Sequence, residues 1–126
     1  MKEQVAKTWV EALRSGDYTQ AVGMLYDGKG YCCLGVLCHV MGYTFEAVTN
    51  PLCSYGWRVA DVVENEHSQV LPREVMDKAE IKSRVGQINF VTEDDDSEQM
   101  ILAYMNDAGD SFATIADFIE ENWQAL

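Results

Sequence analysis

The chain has 126 residues, of which 48% are hydrophobic and 10% aromatic, so it has the composition of one globular domain and not of a disordered chain. The formal net charge is −12, and residues 85–126 contain ten acidic residues and no lysine or arginine. Because such a segment repels phosphate backbones, we expect no direct binding to nucleic acid. Solubility explains this acidic surface, and docking onto a basic partner or mimicry of nucleic acid is the alternative.

We expect no membrane segment, because no apolar run approaches the roughly 18 residues that a spanning helix needs. Residues 1–4 lead directly into a helical pattern without the apolar core of a signal peptide. The sequence therefore predicts a cytoplasmic protein with reduced thiols. Free thiols also fit the spacing, since Cys32 and Cys33 are adjacent and Cys38 follows in the same apolar run.

The first 30 residues predict a helix followed by a hairpin. Residues 2–15 have apolar side chains at helical spacing, and Gly16 is a natural end for this helix. Residues 22–26 are predicted to form a short strand that turns at residues 27–30. The apolar face of the helix comprises Val5, Trp9, Ala12 and Leu13.

A dense apolar run contains three of the four cysteines and predicts a buried central helix. We expect this helix to begin at or just after Cys32 and to stop at Gly42. Gly35 lies inside it, where glycine costs up to about 1 kcal/mol relative to alanine. Close approach of another backbone would explain the glycine. The run is Tyr31-Cys32-Cys33-Leu34-Gly35-Val36-Leu37-Cys38.

The middle of the chain has a weaker pattern. Residues 43–70 are predicted to be irregular, with a short strand or helical turn at residues 59–63. A short helix is predicted over residues 72–79, which begin with a proline that suits the first turn. Residues 85–91 alternate as a strand does, and residues 93–97 predict an acidic loop.

Two helices are predicted to close the chain. The first covers residues 97–106, and the second begins after Asp110-Ser111, where either side chain can cap the free N–H groups. With the earlier elements they predict a single α+β domain over residues 1–126, with about four to five helices and a short hairpin or small antiparallel sheet. The side chains predicted to face inward are Met100, Ile101, Tyr104 and Met105, followed by Phe112, Ile115, Ala116, Ile119 and Trp123.

Cys32 and Cys33 are candidates for a catalytic nucleophile, because a helix N-terminus lowers the pKa of a nearby thiol. The partner base is the weak point of this hypothesis. His39 is predicted at the far end of the same helix, and His67 lies in an irregular acidic stretch. Packing as small hydrophobic residues is the simpler interpretation of the cysteines.

No metal site and no cofactor are predicted. The cysteines and histidines lack the paired Cys-x-x-Cys spacing of zinc sites. The acidic residues 93–96 are contiguous, whereas a calcium loop alternates its acidic ligands and contains a glycine. A solvated acidic loop is therefore the preferred interpretation.

A candidate ligand site is predicted beside the N-terminus of the central helix, where free N–H groups and a partial positive charge favour an anion. Arginine forks, aromatic rings and such helix ends are features of sites for nucleotide-like or phosphorylated ligands. The alternative is that a neighbouring side chain plugs this end of the helix. The candidate residues are Arg14, Tyr18, Gln20, Tyr31, Cys32 and Cys33.

Asn106 and Asp107 are candidates for the opposite wall of this site. They stand with Asp110-Ser111 between two predicted helices, where turn and capping roles explain them equally well. These helices are similar to the start of a helix-turn-helix, but no third helix follows to enter a DNA groove. We therefore expect no reading of DNA sequence.

Four groups of residues occur in a distinctive order. They are Trp9 with Ala12-Leu13-Arg14-Ser15-Gly16, Tyr18 and Gln20; the run from Tyr31 to Cys38; Leu71-Pro72; and Met105-Asn106-Asp107 with Gly109, Ser111-Phe112, Ile115-Ala116-Asp117 and Ile119. In these groups the chain resembles, over nearly its whole length, a family of small uncharacterised proteins of tailed bacteriophages and bacterial genomes, including prophages. The resemblance implies a phage source, hence the cytoplasm of an infected bacterial cell, and no established activity. Family members often have further Gly and Lys residues just after the Gln, where this chain has Ala21-Val22-Gly23.

Three functions fit these features. The first is a phage accessory protein that binds a small nucleotide-like or phosphorylated ligand without catalysis and so blunts a host defence. The second is a cysteine-dependent hydrolase or transferase that uses Cys32 or Cys33. The third is an acidic inhibitor that binds a host defence protein through residues 85–126. We expect the first, and the sequence leaves self-association open.

Overall fold

The computed structural model describes residues 1–48, 56–62, 69–91 and 97–126. These residues contain five α-helices and two small antiparallel sheets. The predicted α+β class is confirmed. No helix within these ranges is long and apolar enough to cross a bilayer. The helices are α1 (Glu3–Arg14), α2 (Cys33–Val40), α3 (Arg73–Ala79), α4 (Leu102–Asp107) and α5 (Phe112–Asn122), with a short 3₁₀ helix at Trp123–Ala125. The strands are β1 (Phe45–Val48), β2 (Gly56–Val59), β3 (Gln87–Val91) and β4 (Ser97–Ile101).

Helices α1 and α5 pack against each other through their apolar faces. Both faces arise because apolar residues recur every three or four positions, as the sequence predicts. Ser111 caps α5, since its Oγ accepts a 3.2 Å hydrogen bond from the Thr114 N–H. The buried residues are Ala6, Trp9, Val10 and Leu13 in α1, and Phe112, Ile115, Ala116 and Ile119 in α5.

The central helix α2 lies inside the core. It begins at Cys33 and ends at Val40, two residues before Gly42, so its predicted bounds are confirmed. Residues 33–38 are all buried. Trp9 connects α1 to this helix, because its Nε1 donates a 2.8 Å hydrogen bond to the Cys33 carbonyl.

Gly35 is the point at which a second segment touches α2. A Cβ built on Gly35 would lie 1.8 Å from the carbonyl oxygen of Leu25, so there is no room for a side chain. The close approach predicted at Gly35 is therefore confirmed. It fixes the segment before the helix directly against the core.

The prediction that residues 22–26 form a strand is wrong. Within this segment only Tyr26 is paired, in an isolated bridge with Tyr31, and Gln20 just before the segment makes a second isolated bridge with Tyr31. Gly23 has a φ of +81°, which breaks an extended strand. The turn that follows is present, because Asp27 Oδ1 accepts hydrogen bonds from the N–H groups of residues 29 and 30 at 2.9 and 2.7 Å.

The prediction that residues 43–70 are irregular is also wrong in part. Strands β1 and β2 form an antiparallel pair in which Phe45 lies opposite Val59. Arg58 Nε donates a 2.6 Å hydrogen bond to Glu46 Oε1 across this pair. Strand β2 ends at Val59 and a turn follows at residues 60 and 61, so of the strand or turn predicted at 59–63 the turn is present and the strand lies earlier. Residues 49–55 and 63–68 of the predicted irregular stretch lie outside the described residues. The pair is short and partly exposed, so its sequence lacks the alternation that would have indicated it.

A helix does not cover residues 97–106. Residues 97–101 form β4, which pairs with β3 so that Gln87 lies opposite Ile101, and only Leu102–Asp107 is helical. Met100 in β4 and Tyr104 in α4 are predicted to face inward but are 36% and 68% exposed. Pairing with a neighbouring strand overrides the helical spacing of this segment.

The remaining predictions agree with the structure more closely. The helix predicted at 72–79 is α3, which starts just after Pro72. The strand predicted at 85–91 is β3, which is two residues shorter. The predicted acidic loop lies outside the described residues, except for Ser97, which begins β4. His67 and Cys53 also lie outside them.

Candidate functional site

Asn106 closes the N-terminal end of α2. Its side chain is fully buried, and Oδ1 accepts hydrogen bonds from the Cys33 N–H at 3.1 Å and from Gln20 Nε2 at 3.0 Å. Its Nδ2 donates a 2.7 Å hydrogen bond to the Ala21 carbonyl. The Cys33 N–H is therefore already paired and is not available to an anion, which matches the alternative that a protein side chain plugs this end.

Gln20 and Asp107 have similar connecting roles. Gln20 Nε2 also donates a 2.8 Å hydrogen bond to the Asp110 carbonyl. Asp107 Oδ1 accepts a 2.9 Å hydrogen bond from the Gly23 N–H. These bonds hold the irregular segment before α2 against α4 and the turn that follows it.

The cysteine thiols have raised pKa values, whereas a cysteine nucleophile needs a lowered one. Burial raises the pKa of Cys32 to about 11, although the N–H groups of Gly35 and Leu34 partly offset this effect. Burial also raises the pKa of Cys33 and Cys38. The predicted lowering of the thiol pKa is therefore wrong, because desolvation outweighs the favourable helix end. The prediction that these thiols are free and buried is confirmed for all three.

Arg14 lies on the side of α1 that faces α5. Its guanidinium forms ion pairs with Asp117 at 2.5 Å and Glu120 at 2.8 Å. These two acidic partners raise the pKa of Arg14. Within the described residues, the polar contacts of Arg14 are with α5 and not with the other residues predicted to surround the end of α2.

Tyr18 and Tyr31 come together as predicted, within a larger group of rings that we call the aromatic face. Tyr31 is at its centre, with ring centroids 5.2 Å from Tyr18 and 4.7 Å from Tyr26. The centroids of His39 and Phe45 lie 5.6 and 5.8 Å from that of Tyr31. The aromatic face consists of Tyr18, Tyr26, Tyr31, His39, Phe45 and Trp57.

The aromatic face is open to solvent. His39 is exposed and the other five rings are half-buried. The Tyr18 hydroxyl lies 2.6 Å from His39 Nδ1, which fixes both rings. Burial raises the pKa of Tyr18 and of Tyr31, so both hydroxyls are neutral near pH 7 and are able to donate hydrogen bonds.

Four members of the aromatic face are not among the site residues that the sequence predicts, namely Tyr26, His39, Phe45 and Trp57. The sequence suggests His39 only as a partner base for a cysteine, and it predicts Tyr26 in a strand. Phe45 and Trp57 lie on the β1–β2 pair, which the sequence does not predict. The density of aromatic residues between positions 18 and 57 was the available signal, but ring contacts across that distance depend on the turn at residues 27–30 and on β1–β2 pairing.

Comparison with known protein families gives a match over nearly the whole chain. The model of a family described as a domain of unknown function, DUF8296, matches residues 1–123. The chain belongs to the DUF8296 family. No curated protein and no solved structure matches it.

The remaining predicted site residues of this DUF8296 chain line a separate cleft. Cys32 and Asp107 both contribute to it, and its volume is about 320 Å³. We call it the Asp107 cleft. Within the ranges that the structure describes, no group of histidine, cysteine and acidic side chains is arranged to hold a metal ion. The lining residues are Gly23, Met24, Cys32, Gln69, Val70, Val85, Ala103, Tyr104 and Asp107.

Proposed function

We propose that this chain is a phage accessory protein that binds a small nucleotide-like ligand without catalysis and so withholds it from a host defence. The base of the ligand stacks on the aromatic face. One observation carries the proposal: Tyr31 is in contact with four other rings and is still partly open to solvent. The resemblance to phage proteins supports the accessory role.

Stacking is the interaction that this surface is best suited to make. Every nucleobase has a π-face, and stacking on one aromatic side chain contributes about 1–3 kcal/mol. Neighbouring rings hold Tyr31 in place, so little side-chain freedom is lost when a ligand binds. The neutral Tyr31 hydroxyl and the second ring nitrogen of His39, whose Nδ1 is bonded to Tyr18, are able to make hydrogen bonds at the edge of the base.

The phosphate of the ligand needs a partner other than the α2 N-terminus and Arg14, which the sequence suggests. The Cys33 N–H is bonded to Asn106, and Arg14 is paired with acidic residues of α5. Lys29 is exposed on the turn between Tyr26 and Tyr31. It is the cation that we expect to face a phosphate, at modest strength because the site is solvated.

The buried thiols favour this binding function over cysteine catalysis. A nucleophile must be a thiolate that the substrate can reach. Cys33 is fully buried with a raised pKa, and Cys32 is 5% exposed. Packing explains both residues.

The test is calorimetric titration of the chain with adenosine, AMP, GMP, CMP, UMP and ribose 5-phosphate. We expect at least one nucleotide to bind, and Tyr31→Ala to weaken that binding about 5- to 150-fold, which corresponds to the loss of one stacking partner. Phe90→Ala is the matched control, because Phe90 is a half-buried ring outside the aromatic face. It should leave the affinity unchanged.

Two results would contradict the proposal. The first is equal binding of ribose 5-phosphate and AMP, which would show that the base is not recognised. The second is an absence of binding to every nucleotide, together with no retained small molecule in native mass spectrometry of protein purified from its host.

A further inference from the structure

The Asp107 cleft differs from the aromatic face in both composition and charge. Its walls are mostly apolar and include Val70, Val85 and Ala103. Among the described residues that line it, Asp107 is the only acidic or basic one. The two sites share no lining residue.

One exposed large hydrophobic side chain lines this cleft, and a second is next in sequence to a lining residue. Among the described residues, three large hydrophobic side chains are exposed, and they are Val22, Met100 and Tyr104. Tyr104 lines the cleft and is 68% exposed, while Val22 is 61% exposed and adjoins Gly23, another lining residue. Exposed aromatic and apolar side chains at the rim of a concave site indicate a protein-binding surface.

Asp107 and the net charge of the whole chain indicate the kind of partner. Asp107 forms no ion pair within the described part of the chain. Its Oδ1 accepts one hydrogen bond, from the Gly23 N–H. Residues 85–126 add nine further acidic residues and no base, and the net charge is −12. A cationic partner is therefore attracted, whereas a second copy of this acidic chain is repelled.

We infer that the Asp107 cleft binds a basic segment of another protein, in which an apolar side chain fills the cleft and a lysine or arginine pairs with Asp107. This surface goes beyond the proposed nucleotide-like ligand, since it involves different residues and a different class of partner. The apolar contact supplies most of the affinity, the pairing with Asp107 selects a basic segment, and the net negative charge of the whole chain accelerates association.

The first experiment selects short random peptides on the immobilised chain and measures the affinity of the enriched ones. We expect enrichment of peptides that combine lysine or arginine with leucine or aromatic residues. Their affinity should fall as salt rises from about 50 to about 500 mM, because salt screens the exposed charges. Enrichment of acidic peptides, or no enrichment, would overturn the inference.

Variants then locate the binding surface. Asp107→Asn keeps an oxygen for the Gly23 N–H but removes the charge, so the protein should fold and bind the peptides about three- to fivefold more weakly. Glu121→Gln removes one exposed charge from α5 and should leave the affinity unchanged. Tyr104→Ala removes an exposed ring and should weaken binding about tenfold or more.

Peptide binding that neither Asp107→Asn nor Tyr104→Ala weakens would place the surface elsewhere and refute the inference. A concentration-dependent dimer that Tyr104→Ala converts into a monomer would also refute it, because a second copy would then be the occupant. Nucleotide titration of the same protein keeps the two proposals apart, since peptide binding could fail while nucleotide binding persists, and the reverse.

Discussion

The Asn106 side chain accepts a hydrogen bond from the Cys33 N–H at a distance of 3.1 Å, although 73 residues separate the two in sequence. Both residues are fully buried. The same side chain donates to the Ala21 carbonyl at 2.7 Å. One asparagine thus connects α4, the N-terminal end of α2 and the segment that precedes it.

Asn106→Ala should lower the free energy of unfolding by about 1–3 kcal/mol, because it leaves the buried Cys33 N–H and the Ala21 carbonyl without their partner. Urea unfolding followed by circular dichroism measures this loss. Asn122→Ala is the control, since Asn122 is half-buried and makes a hydrogen bond only within its own helix. Equal effects of the two substitutions would show that Asn106 has no special role.

Gly35→Ala should destabilise the protein by about 1–3 kcal/mol or prevent folding, as overpacking of a core does. In most helix interiors alanine is the more stable residue, so the sign of the effect is diagnostic. It follows from the carbonyl oxygen of Leu25, which lies 1.8 Å from the position of the new Cβ. Gly56→Ala is the control, because its Cβ would meet no atom within 4 Å. A stabilising Gly35→Ala variant would contradict the close contact.

Ile115→Ala should cost about 2–5 kcal/mol and Phe112→Ala about 3–5 kcal/mol, since both remove buried side chains from the contact between α5 and the core. Thermal or urea unfolding of each variant provides the measurement. Glu121→Ala on the exposed side of the same helix should change the stability by no more than about 0.5 kcal/mol. A loss below about 1 kcal/mol at Ile115 would mean that this side chain does not face a packed core.

The thiols of Cys32, Cys33 and Cys38 should react slowly with a thiol reagent in the native protein. A Cys53→Ser background isolates these three, and denaturant should make all of them reactive. Because burial raises the pKa of Cys32 to about 11, its reaction rate should still be increasing from about pH 7 to about pH 10. Rapid modification with a plateau below about pH 8 would reveal an accessible thiolate and contradict the burial.

Local sequence patterns determined the long helices. The apolar spacing in residues 2–15 and 112–123 predicts α1 and α5, because a helix must bury a face that recurs every three or four residues. The continuous apolar run and Gly42 predict α2 and its end. Gly35 even indicates a close backbone contact, although not with which residue.

Local sequence patterns did not predict which distant segments pair as strands. Residues 97–101 have helical spacing but form β4, because β3 offers its unpaired backbone groups. Residues 45–48 and 56–59 pair although neither stretch alternates clearly. In both cases the hydrogen bonds that stabilise the strand come from another part of the chain, so no local pattern records them.

By itself the sequence determined the α+β class, the core helices, the buried thiols and the acidic C-terminal segment, since each depends on composition or on neighbours within a few residues. Only the tertiary structure decided how the candidate site residues are grouped. It placed Tyr31 among rings from the β1–β2 pair, paired Arg14 with α5 and used Asn106 to close α2. The physical reason is that burial and hydrogen bonding between distant residues set both the accessibility and the pKa of a side chain, and these contacts form only when the chain folds.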